Sequence, residues 1–173
     1  MADNIVLIGF MGSGKSNAGR LLAKKLHYDF IDSDEKIEVS ENLTISGIFN
    51  LKGEDYFREL EVKFLESLLK NGIKRTVLAT GGGMPCSDNN LEKLKKLGTV
   101  IYLKADPKTI LKRIGQETNR PVLGAAGFSG KDIKNILVNR ERYYNKADIT
   151  VYTDGISPAG VTEEIVMFTS NLF

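Results

Sequence analysis

Eight residues near the amino end constrain this chain more than any others. Gly9, Phe10, Met11, Gly12, Ser13, Gly14, Lys15 and Ser16 spell G-x-x-x-x-G-K-[ST]. They follow the apolar run Ile5 to Ile8 and lead into a stretch of helical spacing, so the loop is expected to join a strand to a helix. Glycines there let successive backbone N–H groups turn inward around phosphate oxygens, and Lys15 reaches the β and γ oxygens. Ser16 offers a hydroxyl to Mg2+. The competing reading, an ordinary glycine-rich turn, is disfavoured by the placement between strand and helix. A nucleotide-binding α/β protein is the expectation.

At 173 residues and 42% hydrophobic, the chain is long enough for one substantial core and short for two, so a single domain over 1–173 is predicted. A net charge of +2, from 24 basic and 22 acidic side chains, gives no field that calls for a polyanion, and no nucleic-acid partner is implied. One cysteine, Cys86, and one histidine, His27, build neither an internal disulfide nor a zinc cluster. Both read as ordinary structural positions in a reducing compartment. The amino end has no basic n-region and its apolar run stops at Gly9, so neither a secretory signal nor a membrane span is expected. The expected location is the cytoplasm, and the expected state a monomer.

Beyond the first strand and loop, Ala18, Leu21, Leu22 and Leu26 make one helical stripe. Tyr28 to Ile31 reads as a second strand ending in Asp32-Ser33-Asp34. A long helical region in two pieces follows, with Phe57, Leu60, Phe64, Leu65 and Leu68 on one face of the second and Asn71-Gly72 closing it. Thr76 to Thr80 is a third strand that runs into Gly81-Gly82-Gly83. Leu91, Leu94 and Leu97 mark a helix ending at Gly98, and Val100 to Leu103 a fourth strand. Asp106-Pro107 is a good helix start. Periodicity disappears between Gln116 and Gly130, a mobile-loop candidate. A helix over Ile133 to Ala147, a strand over Ile149 to Tyr152 and a helix opening at Ser157-Pro158 complete the alternation. That alternation predicts a three-layer, doubly wound α/β domain on a five-stranded parallel sheet.

In such a sheet ligands gather beyond the carboxyl ends of the strands, and three informative loops fall there. Besides the phosphate loop, Asp32 and Asp34 could divide the work of holding Mg2+ and orienting an acceptor hydroxyl, or else form a solvated turn or helix cap. Gly81, Gly82 and Gly83 let backbone approach a ligand, or simply make a flexible turn. Arg58, near a helix start, is explained by ion pairing to Glu54 or Glu61 unless it faces a ligand. Arg120 precedes Pro121, which extends its backbone, and an arginine on a mobile loop suits a closing lid. Arg140 and Arg142 share a helix, with a surface face the default for at least one. Lys93, Lys95 and Lys96 read as a solvated helix face.

Taken together, Gly9 to Ser16, Asp32-x-Asp34, Phe57-Arg58-x-x-Glu61, Gly81-Gly82-Gly83, Arg120-Pro121-Val122-Leu123 and Arg140-x-x-x-Tyr144 resemble the shikimate kinase family in order and spacing. The resemblance covers about Asn4 to Asp148. It implies a P-loop NTPase fold of the nucleoside-monophosphate-kinase type and transfer of the ATP γ-phosphate to the 3-hydroxyl of shikimate. It also implies roles. Gly12, Ser13, Gly14, Lys15, Ser16 and Asn17 would hold ATP, with Ser16 and Asp32 near Mg2+. Arg58 and Arg140 would bind the acceptor's carboxylate, Asp34 its hydroxyls, and the glycine triplet its ring. Arg120 would meet the phosphates from a lid over about 116–130, and Arg113 would pack on adenine. Lys15, Asp34 and Arg120 are the catalytic expectations.

Three positions depart from the family's pattern. Asn17 stands where threonine is common, Val122 where leucine is common, and Gly155-Ile156-Ser157 lacks the basic residue that relatives often carry beside the adenine. Two rival readings follow from the same residues. One is a kinase for another small alcohol or a nucleoside monophosphate, because two arginines hold a phosphate as well as a carboxylate. The other is a nucleotide-binding regulatory module without turnover.

Overall fold

A computed structural model describes residues 4–87, 89–116 and 130–169. The expected lid arginine, Arg120, and most of the expected lid loop lie outside the described residues. Among the described residues the strands form one five-stranded sheet, every pairing parallel, in the order β2-β3-β1-β4-β5. They are β1 Ile5–Ile8, β2 Asp29–Asp32, β3 Thr76–Ala79, β4 Thr99–Lys104 and β5 Ile149–Tyr152. The helices are α1 Lys15–Leu26, α2 Ser33–Glu41, α3 Ile45–Asn71, α4 Asn90–Leu97, α5 Pro107–Gln116, α6 Gly130–Tyr144 and α7 Pro158–Thr169, with a 3-10 turn at Met84–Cys86.

β1 is continuous apolar sequence because it is covered on both faces. The pleat sends Ile5 and Leu7 to one side, where Val77, Ile101, Leu103 and Val151 meet α1 and α7 through Ala18, Leu22, Val161 and Ile165. Val6 and Ile8 face the other side, where Leu78, Val100 and Tyr102 pack on α3, α4, α5 and α6. These are the three layers that the alternation predicts. No described helix is long and apolar enough to cross a membrane.

Differences from expectation are local. Leu21 is 42% exposed. Buried Ala18, Leu22 and Ala23 fill the sheet-facing stripe of α1, and Leu21 falls on its shoulder. The helical region after β2 comes in three pieces, because α3 kinks at Gly53, whose φ of 84° and ψ of 171° are open to glycine and strained for other residues. Around that kink, Ile37, Ile48 and Phe57 build a small satellite core that fixes α2 against the start of α3. Helix α6 stops at Tyr144, three residues early, as Asn145 to Ala147 turn back through hydrogen bonds to Glu141, Tyr143 and Tyr144.

Register matters most for function. Ala79 pairs with Asp32 on one side and Leu7 on the other, and Ile8 pairs with Tyr102. The chain therefore leaves β1, β2 and β3 at one level of the sheet. The phosphate loop, the acidic turn and the glycine triplet emerge as neighbours.

Candidate active site

The phosphate loop ends where α1 begins. Gly14 is the N-cap of α1 at φ 95°, and no side chain caps it. The first N–H groups of α1 thus point into the loop with no side-chain acceptor, at the positive end of the helix dipole. That is an anion site by construction. Lys15 folds over it, its ammonium donating to the carbonyls of Gly9 and Phe10 at 2.9 Å each. Ser16 Oγ donates to Asp32 Oδ2 at 2.6 Å.

Asp32 has two jobs. Its Oδ1 accepts from the N–H groups of Asp34 at 3.0 Å and Glu35 at 3.4 Å, so it is the N-cap of α2 while its other oxygen meets Ser16. The cap reading of this turn is realised, and the second oxygen of Asp32 is turned toward the phosphate loop. Buried Ser33 accepts from the Gly81 N–H at 2.8 Å and ties the acidic turn to the glycine triplet.

A side chain anywhere on the triplet would crowd its neighbours. A Cβ on Gly81 would lie 2.5 Å from Asp34 Oδ1 and 3.1 Å from Glu61 Oε1, and one on Gly83 would strike the Arg58 guanidinium. On Gly82 it would come within 3.2 Å of the Met11 backbone N. Carboxylates, guanidinium and phosphate loop thus converge on three bare backbone units.

Arg58 makes the ion pairs anticipated for it, to Glu54 at 2.8 Å and Glu61 at 2.7 Å. It nevertheless faces the cleft, because α3 turns this side inward. Glu61 is fully buried, with Oε2 on Arg58 and Oε1 lacking a hydrogen-bond acceptor or donor among the described residues. Burial pushes its carboxyl up to about 7, opposed by Arg58 and reinforced by Asp34. Arg140, on α6, lies over the Phe10 ring at 5.6 Å. Lys93 and Lys95 pair with Glu66 and Asp148 as a solvated face, as their spacing suggested.

One cleft of about 590 Å³ collects Lys15, Ser16, Asp32, Asp34, Arg58 and Arg140 with Gly81, Gly82 and Gly83. Asn17 lies at its border with a second pocket of about 280 Å³ on the other side of the loop. That pocket is lined by Gly12, Ser13, Gly14, Arg113, Thr153, Ile156, Pro158 and Val161. Arg113 is anchored there: it donates to the Thr153 carbonyl at 2.6 Å, to Thr153 Oγ1 at 3.0 Å, and to the carbonyls of Gly12 and Ser13 at 3.3 Å. Where a basic residue was missed in the sequence, Ile156 and Pro158 give the pocket an apolar wall.

Two contributors went unassigned from sequence. Glu61 was read only as a partner for Arg58, although its place one turn after that arginine foretold the pairing. Tyr144 carried no role, although it follows Arg140 by four residues and so shares a helix face with it. Its hydroxyl donates to the Gly82 carbonyl at 2.6 Å.

Comparison with known proteins identifies the family. The family model described as shikimate kinase covers residues 11–170. A shikimate kinase from Thermodesulfovibrio yellowstonii is 44% identical over 163 residues, 94% of this chain and 92% of the relative. The solved structure of shikimate kinase from Acinetobacter baumannii in complex with shikimate aligns with a TM-score of 0.90 at 35% identity, covering 99% of this chain and 95% of that one. A gluconokinase from Sinorhizobium meliloti aligns at 0.63 with 18% identity, covering 98% and 92%, which shows a shared fold alone. By sequence and by fold, the chain belongs to the shikimate kinase family, ATP-dependent enzymes that phosphorylate shikimate.

Proposed function

We propose that this chain transfers the γ-phosphate of ATP to the 3-hydroxyl of shikimate within the cleft between the phosphate loop and the glycine triplet. The supporting observation is that Lys15 and Ser16 share one cleft with Asp34, Arg58 and Arg140. Shikimate is a small ring with one carboxylate and three hydroxyls. Arg58 and Arg140 suit the carboxylate as charge-assisted donors, and Asp34 suits the hydroxyls as an acceptor. Gly81, Gly82 and Gly83 let the ring lie close to backbone.

The N–H groups from Gly12 to Asn17 and the Lys15 ammonium would hold the triphosphate, and the pocket beside Arg113, Ile156 and Pro158 would take the base. Ser16 Oγ and Asp32 Oδ2, 2.6 Å apart, are a pair of hard oxygen donors beside the phosphate site. They fit Mg2+, which keeps much of its water and takes few protein oxygens. Among the described residues no group of three or more histidine, cysteine or acidic side chains could hold a metal by itself. When bound, Mg2+ supplies charge neutralisation at the phosphates.

In the transfer, the acceptor oxygen forms a bond to the γ-phosphorus as the bond to the β–γ bridging oxygen breaks, and ADP leaves. Asp34 aligns the acceptor hydroxyl and takes its proton. Lys15 stabilises charge as it accumulates, joined by Arg120. The loose transition state leaves the protein positioning and neutralisation rather than covalent work. Exclusion of water matters because water is a competing acceptor.

A coupled assay for ADP release with ATP, Mg2+ and shikimate tests the reading, with gluconate and a nucleoside monophosphate as controls. Saturable turnover with shikimate and not with the controls is expected. Turnover with a nucleoside monophosphate alone would replace the acceptor, and no turnover with any acceptor despite MgATP binding would return the chain to a regulatory role.

A further inference from the structure

We infer that Tyr144 is a positioning residue for the acceptor side of the site, locking the helix that carries Arg140 to the glycine triplet through its hydroxyl. The inference rests on the assignment of Arg140 and the triplet to acceptor binding.

Tyr144 is fully buried at the end of α6 and stacks on Tyr102, ring centroids 5.0 Å apart with planes tilted by 32°. Its hydroxyl donates to the Gly82 carbonyl at 2.6 Å, a bond that spans 62 residues of sequence. Arg140 stands one turn earlier on the same helix face, its guanidinium over the Phe10 ring of the phosphate loop. Gly82 in turn backs onto the phosphate loop at Met11. One hydroxyl therefore ties the helix of Arg140 to the bare backbone beside the ring site and, through that backbone, to the phosphate cradle. Burial keeps the phenol protonated and able to donate.

Tyr102 supplies an internal contrast. It is the other half of the ring pair, equally buried, and its hydroxyl has no hydrogen-bond partner among the described residues. The fold needs both rings for packing, and only the Tyr144 oxygen makes a bond to the site.

Tyr144→Phe and Tyr102→Phe each delete one oxygen and keep the ring. Tyr144→Phe is expected to raise the KM for shikimate about three- to tenfold, the size of one neutral hydrogen bond, with the KM for ATP unchanged and kcat reduced by a smaller factor. The Met84 N–H, which donates to the Gly81 carbonyl, should exchange with solvent faster. Tyr102→Phe should leave all of these at wild-type values. A Tyr144→Phe enzyme that melts earlier but keeps its shikimate KM would overturn the inference, as would equal effects from the two variants. Should Tyr144→Phe not fold, Tyr144→Trp with wild-type shikimate affinity by calorimetry would overturn it too. If the wild-type enzyme shows no saturation by shikimate, the acceptor assignment fails instead.

Discussion

The two walls of the cleft are built in opposite ways. The phosphate wall is local: residues 9–17 supply loop, helix start, lysine and serine in one run, and most of its donors are backbone N–H groups. The wall proposed to hold the acceptor is assembled from four separate segments, namely Asp34 on α2, Arg58 and Glu61 on α3, the triplet after β3 and Arg140 with Tyr144 on α6. A backbone cradle recognises any triphosphate of suitable shape. A wall of side chains held by one another recognises a particular acid and alcohol. The difference predicts that damage to the first wall strikes phosphate chemistry, and damage to the second strikes acceptor selection.

Asp34 lies where the walls meet, and Asp34→Asn should show the largest effect. Loss of a general base lowers kcat by about 10²- to 10⁴-fold, while MgATP binding measured by calorimetry should survive. A fully active Asn variant would remove Asp34 from the chemistry. Lys15→Met should lower kcat by roughly 10²- to 10³-fold, the usual result of deleting a donor to developing charge, with shikimate binding retained. Loss of shikimate binding in that variant would show that the walls are not separable.

Arg58→Ala acts on the acceptor wall alone. A charge-assisted hydrogen bond contributes about 1.5–3 kcal/mol, so the KM for shikimate should rise about 10- to 150-fold with the KM for ATP little changed. An unaltered shikimate KM would falsify its role in acid binding.

Glu61 gives a pH signature in stability instead of a change in acceptor binding. Its carboxyl titrates near 7 in the folded chain against 4.5 for the free group, so the folded state holds a proton that the unfolded chain has lost. The contribution of this group to stability is therefore full below pH 4.5 and is lost as pH rises to about 7, by an amount on the order of 3 kcal/mol. Glu61→Gln should flatten this part of the stability profile in urea titrations at several pH values. An identical profile would exclude Glu61 as its source.

The same contrast explains what could be read in advance. The phosphate loop is contiguous, so its chemistry was visible in its own residues. β5 at Ile149–Tyr152 matched its reading, and the strand expected over Tyr28 to Ile31 shifted by one residue, although both are partly exposed edge strands. Asp32-Ser33-Asp34 stayed ambiguous because a helix cap and a ligand site use the same side chain, and the structure has Asp32 serving as a cap while it holds Ser16. Arg58 could not be told from an ordinary ion-paired helix residue until the register of β2 and β3 brought Gly83 beneath it. The bond between Tyr144 and Gly82 has no local signal at all, since it depends on how α6 packs across the sheet.

Whether the walls work as one site is tested most directly by a crystal structure with ADP, Mg2+ and shikimate bound together. The β-phosphate is expected within hydrogen-bonding distance of Lys15, the shikimate carboxylate on Arg58 and Arg140, and the 3-hydroxyl beside Asp34 and directed at the vacant γ-phosphate position. Shikimate bound outside the cleft that contains Lys15, or with its carboxylate turned toward the phosphate loop, would contradict the shared site.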